Sequence, residues 1–214
     1  MRVLHAIHDF LPRHRAGSEI YCLQLCRALQ ARAIGVHVLC AEYDPGRAHG
    51  LLAWRAVDGV GVTELINNWA FASFAESYGS PLVTRRLGQV LDIIQPDLLH
   101  VHNLLNLSFA LPALAKARGI PVAATLHDYT LVCPSGGQRV HVAEEHLCLT
   151  IDAERCARCF AQHPLHAQLR FGQGALRVPG GRRLGSLAGE LRRRVPRLAA
   201  PLARLAVNAS PGSL

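Results

Sequence analysis

The fold turns on residues 95–129, QPDLLHVHNLLNLSFALPALAKARGIPVAATLHDY. DLLHVHN reads as a short buried strand, LSFALPALAKARG as a helix, and IPVAATLHDY as a second strand. Pro112 must sit early in that helix or bend it. Two short apolar strands joined through a helix specify a parallel pair, because strands of the same direction need a crossover between them.

The same alternation extends toward the amino terminus. RVLHAIHDF is a strand ending in polar residues, and GSEIYCLQLCRALQARAIG is a helix with Ile20, Leu23, Leu25, Cys26 and Leu29 spaced along a face. Gly17-Ser18 suits the start of this helix and Gly35 its stop. VHVLCAEY is another strand, and Asp58-Gly59 between two apolar runs predicts a hairpin or a bent edge strand. Residues 81–95 read as a helix with Pro81 in its first turn and Pro96 just past its end. The whole is an α/β, Rossmann-like, doubly wound parallel sheet covered by helices on both faces. In such a sheet the carboxyl ends of the parallel strands share one edge, where ligands bind. His8, His102 and His127 each fall at a strand end, so all three are expected at that edge. His127 is a candidate general base or hydrogen-bond donor. Its neighbour Asp128 either joins the site or caps the following turn.

The 214 residues suffice for a large domain with a sizeable core, half of them hydrophobic and 18% charged. MRVLHAIHDFLPRH lacks the long apolar run and cleavage site of a secretion signal, and no apolar stretch approaches the roughly 18 residues a membrane span needs. The expected address is cytoplasmic. The net charge is +8. From Gln162 onward the sole acid is Glu190 against arginines at 170, 177, 182, 183, 192, 193, 194, 197 and 204. Such a tail, with a basic helical segment at 182–205, suits a polyanionic neighbour or else a solvated helix face.

Seven cysteines in a cytoplasmic chain read as thiols or metal ligands before disulfides. Cys22, Cys26 and Cys40 fall in helix or strand patterns and read as small buried hydrophobes. Cys133, Cys148, Cys156 and Cys159 include the CARC pair and supply the four thiolates of a structural zinc, with His141, His146 and His163 as substitutes. Reduced thiols or a redox-sensitive pair are the alternatives. An ion there would staple a long loop and do no chemistry.

Taken together, MRVLHAIHDFLPRHRAGSEIYCLQLCRAL, QPDLLHVHNLLNLS and GIPVAATLHDYTLVCPSGG resemble family 4-type retaining glycosyltransferases, whose first helix opens on a pattern close to G-G-x-E. The resemblance covers most of residues 1–160, and RLAVNAS is similar to the last strand before the interdomain linker. It implies the amino-terminal, acceptor-side half of a GT-B enzyme, including a cysteine-rich insert at 133–160. It places Gly17 and Ser18 in a loop facing the donor diphosphate, His127 beside the reacting sugar and His102 on the acceptor side. A nucleotide sugar is the implied donor substrate, with no catalytic metal. Here the loop reads Ala16-Gly17 instead of Gly-Gly. The donor-binding half is expected outside this sequence, as a further domain or a separate carboxy-terminal chain, and no turnover is expected without it.

The leading expectation is therefore a glycosyltransferase domain acting on a lipid-linked or polysaccharide acceptor, peripheral on the inner membrane face, where the arginine-rich segment would meet acidic headgroups. The alternative is a non-catalytic, zinc-stabilised Rossmann-like binding module. Nucleic-acid binding is disfavoured, because the basic tail lacks interleaved aromatics.

Overall fold

The computed structural model describes residues 1–141, 144–163, 166, 167 and 170. The basic segment at 182–205 and the strand expected at RLAVNAS lie outside the described residues. The chain forms two compact units, Met1–His127 and Asp128–Leu214.

The first unit is built on a six-stranded sheet. In chain order its elements are β1 (Arg2–Ile7), α1 (Gly17–Gln30), β2 (Gly35–Glu42), β3 (Leu52–Val57), β4 (Val60–Ile66), α2 (Glu76–Gly79), α3 (Pro81–Ile94), β5 (Leu98–Val101), α4 (Leu111–Lys116) and β6 (Val122–Ala124). The sheet order is β3-β4-β2-β1-β5-β6, parallel throughout except for β3. β1 lies inside the sheet with both its faces covered: every residue from Val3 to Ile7 is buried.

Strand alternation sends β1 side chains to two separate cores. Leu4 and Ala6 join Leu39, Leu65, Leu87, Leu91, Leu99 and Leu111 beneath α3 and α4. Ile7 joins Cys22, Leu23, Cys26, Val38, Cys40 and Val62 beneath α1. The doubly wound α/β expectation therefore holds.

Local chemistry fixes the ends of the elements. The Asp58-Gly59 turn is a two-residue hairpin joining β3 to β4, with both residues at positive φ (49° and 79°). α3 begins at Pro81 and stops at Gln95, whose left-handed φ of 47° lets its N–H reach the Leu91 carbonyl before Pro96. Pro112 sits in the first turn of α4, so the helix is unbent there.

The second unit holds β7 (Val140–His141), β8 (His146–Leu147) and α5 (Ala153–Ala161). β7 and β8 form a two-stranded antiparallel ribbon. α5 is capped by Asp152, whose carboxylate accepts from the Arg155 N–H at 3.0 Å. The loop Cys133–Gly137 closes on itself: Tyr129 N–H donates to the Gly137 carbonyl and Gly137 N–H to the Cys133 carbonyl. Gly137 has φ 73°, and a Cβ there would meet the Thr130 nitrogen at 2.8 Å, so only glycine fits.

Candidate functional site

Three histidines form a continuous hydrogen-bonded chain from the core to the carboxyl edge of the sheet. His5 lies on the middle of β1 and points beneath α1. His102 follows β5, held there by its N–H to the Ala6 carbonyl at 2.8 Å. His127 follows β6, whose path is fixed by the Thr125 N–H on the Val101 carbonyl at 2.9 Å. His5 Nδ1 lies 3.1 Å from His102 Nε2, and His102 Nδ1 lies 3.1 Å from His127 Nε2. His5 is fully buried, His102 is 3% exposed and His127 is exposed. The chain thus runs from a dry interior to the rim.

α1 closes over this chain. Tyr21 packs its ring edge-on against His102 and His127, with centroids 5.9 and 5.2 Å apart. Tyr21 stands one turn into the helix from Gly17. A Cβ on Gly17 would meet nothing within 4 Å, so the backbone at the helix start is open. The Ala16 N–H is satisfied by the Glu19 carboxylate at 2.9 Å, and Ser18 Oγ donates to the same carboxylate at 3.2 Å. Ser18 is therefore engaged with Glu19, which is 2% exposed.

The central imidazole is held neutral. Burial pushes His102 down to about 3, reinforced by its neighbours His100, His5 and His127. Burial also lowers His100, whose Nε2 lies 2.9 Å from Thr125 Oγ1. A neutral imidazole carries one donor and one acceptor, so the tautomer at one end of the chain sets the tautomer at the other.

Cys22 and Cys26 stand one helical turn apart under α1, both fully buried beside His5. The two thiols are hydrogen-bonded to each other, and that bond lowers Cys26 while the bond and burial together raise Cys22. The expectation that Cys22, Cys26 and Cys40 are buried holds for all three.

The sequence grouping of strand-end histidines needs adjustment at its first member. His102 and His127 meet, but the third ring is His5, not His8. Alternation explains this: His5 lies within β1 on the α1 face, whereas His8 follows the strand end and turns to carboxylates. His8 Nε2 lies 3.5 Å from Glu19 and 3.8 Å from Asp9. Asp128 folds back onto its own turn, accepting from the Thr130 N–H at 2.9 Å and hydroxyl at 2.7 Å. Tyr21 was not singled out in the sequence, although its position four residues after Gly17 places it over the strand ends.

The same edge carries an ion-pair group at the ends of β2 and β4. Glu42 and Glu64 are buried and meet Arg13 at 2.8 and 3.3 Å, while Arg55 Nε lies 2.5 Å from Glu64. Both buried acids are paired with arginine.

In the second unit, Cys133, Cys148, Cys156 and Cys159 line one small cavity with His141, Arg139 and Arg155. Each thiol is partly exposed. Among the described residues the groups of three donors lying within 4.8 Å of one another are His5/Cys22/Cys26 and His5/His100/His102, both in the first unit.

Residues 15–161 match the profile of Glycosyltransferase Family 4. No curated protein matches the chain. Among solved structures it is similar to a sucrose-phosphate synthase from Thermosynechococcus elongatus (TM-score 0.42, 14% identity, 79% of this chain and 44% of that one). It is also similar to an E. coli trehalose-6-phosphate structure bound with UDP-2-fluoro glucose (TM-score 0.42, 12% identity, 77% and 39%). A third is a UDP-GlcNAc 2-epimerase from Neisseria meningitidis (TM-score 0.35, 13% identity, 92% and 54%). The chain therefore spans less than half the length of the first two.

Proposed function

Because this chain belongs to glycosyltransferase family 4, we propose that it is the acceptor-side half of a GT-B enzyme. That enzyme would move a sugar from a nucleotide-sugar donor to a lipid-linked or polysaccharide acceptor. The observation that carries the reading is the histidine chain that surfaces at His127 beside the open start of α1.

In this reading the bond that breaks joins the sugar's anomeric carbon to the donor diphosphate. The new bond runs to an acceptor hydroxyl oxygen, whose proton passes to the departing diphosphate oxygen. His127 touches the reacting sugar as a hydrogen-bonding group. His102 is a positioning residue, holding the His127 ring and fixing its tautomer. The free N–H groups at Gly17 and Ser18 face the leaving diphosphate, where the helix dipole favours negative charge. Asp128 shapes the turn that presents His127.

The donor-binding half and the nucleotide pocket belong to a further domain or partner chain. The Cys133, Cys148, Cys156 and Cys159 set, which lines one cavity, is proposed to draw together around a structural zinc; elemental analysis at under roughly a tenth of an equivalent would remove it. No helix among the described residues is long and apolar enough to cross a membrane. Attachment through the arginines at 182–204 to acidic headgroups is the proposed route to a lipid-linked acceptor.

Calorimetry tests the reading. The chain is titrated with nucleotide sugars and with lipid-linked and polysaccharide acceptors, alone and with a donor-binding partner. Acceptor binding by the chain alone, and donor binding with the partner present, is the expected pattern. Absence of both would overturn it in favour of a non-catalytic, zinc-stabilised binding module.

A further inference from the structure

The two thiols beneath α1 have no part in the sugar transfer proposed above, yet they converge with the buried end of the histidine chain on one point. Cys22 and Cys26 project from α1 at the i, i+4 spacing that puts two side chains on one face. His5 rises to meet them from β1. One donor atom from each residue lies within 4.8 Å of the other two, and all three residues are fully buried. His5 Nε2 has no hydrogen-bond partner, although it is completely enclosed. A buried ring nitrogen left unbonded calls for an explanation.

We propose that His5 Nε2, Cys22 Sγ and Cys26 Sγ form a buried binding site for a soft d10 metal ion, with Zn²⁺ as the ion that fits best. Donors around such an ion stand about 3.5 Å apart, inside the 4.8 Å within which the three donor atoms already lie. Two thiolates and a neutral imidazole balance a dication, and a dry pocket strongly favours a neutral set. On binding, each thiol releases its proton to solvent and each sulfur supplies an electron pair to the ion. The three residues supply three of the four positions of a tetrahedral ion. Because the ligands are enclosed, the ion loads as α1 docks on the sheet during folding.

The outer partner is already in place. A ligating histidine donates its other N–H to a neighbouring acceptor, and His5 Nδ1 lies 3.1 Å from His102 Nε2. An ion on Nε2 fixes the His5 proton on Nδ1, which makes His102 Nε2 an acceptor. His102 Nδ1 then donates to His127 Nε2, and His127 presents its own Nδ1–H at the rim. The ion would thereby set the direction of the whole chain from its buried end.

The experiment uses the full chain, refolded with chelator and then with Zn²⁺ or Cu⁺ alone. A background carrying Cys133→Ser, Cys148→Ser, Cys156→Ser and Cys159→Ser removes the thiols of the second unit. The expected result is one equivalent of zinc retained in that background, with sulfur and nitrogen scatterers in its X-ray absorption spectrum. Cys22→Ala, Cys26→Ala or His5→Phe in the same background should lose that equivalent. One equivalent of Cu⁺ and no Zn²⁺ would keep the site and change the ion. If these variants fail to fold, the absorption spectrum of the background protein decides: a shell without two sulfurs overturns the proposal. Retention of neither ion, or retention unaffected by the three substitutions, overturns it as well.

Discussion

At the scale of single residues, His102 is the hinge between core and rim. It bonds His5 on one side and His127 on the other, and Tyr21 packs against its ring. Removing it with His102→Leu should lower kcat of the assembled enzyme about tenfold through loss of His127 orientation, with KM for the donor little changed. His102→Gln, which can still donate and accept, should recover part of that loss; equal rates for both variants would mean the ring has no positioning role. A second residue-scale test concerns packing. A Cβ on Gly61 would lie 2.8 Å from His37 Nδ1, and that ring is tied at 2.8 Å to Thr63 Oγ1. Gly61→Ala is expected to destabilise by roughly 1–3 kcal/mol in chemical denaturation. A change within about 0.3 kcal/mol would show that the His37 ring yields freely.

At the scale of elements, legibility followed the strength of the local signal. The boundaries of α3 were readable because Pro81 and Pro96 fix what a backbone can do on either side of an apolar-periodic segment. The β3–β4 hairpin was readable from Asp58-Gly59 for the same reason. β7 and β8 were not, since two-residue strands carry no period. α5 was hidden inside what read as an irregular cysteine loop. Its start signal, Asp152 three residues before Arg155, is a real cap, but the CARC spacing within it equally suits a metal knuckle. His8 carries the stronger local signal because it stands at a polar strand end, whereas His5, the ring that completes the chain, sits inside an otherwise apolar strand. At the end of α3, Gln95 accepts a left-handed conformation that favours glycine. Gln95→Gly should therefore raise stability by about 0.5–1 kcal/mol in thermal or denaturant unfolding. A loss would mean the Gln95 side chain makes a contribution larger than its backbone strain.

At the scale of the molecule, the parallel sheet explains both the stability and the site. Burial, and next the charge of Arg2, hold His37 below its ordinary value of 6.5. The unfolded chain then binds more protons than the folded one as pH falls below about 6.5, so stability is full above that pH and declines beneath it. His37→Gln should flatten part of that decline in melting temperature; an unchanged profile would clear His37 of a role. The α/β architecture and the edge where His102 and His127 meet were legible from strand–helix alternation, because strand direction alone decides which ends share a rim. The depth of the histidine chain was not, since it depends on which face of β1 each residue takes. The central claim, that this rim serves sugar transfer, is tested by supplying the donor-binding half in trans and measuring transfer. The account expects His127→Ala to lower kcat by about 10²-fold or more while nucleotide-sugar binding persists. Transfer at the unaltered rate by that variant would contradict it.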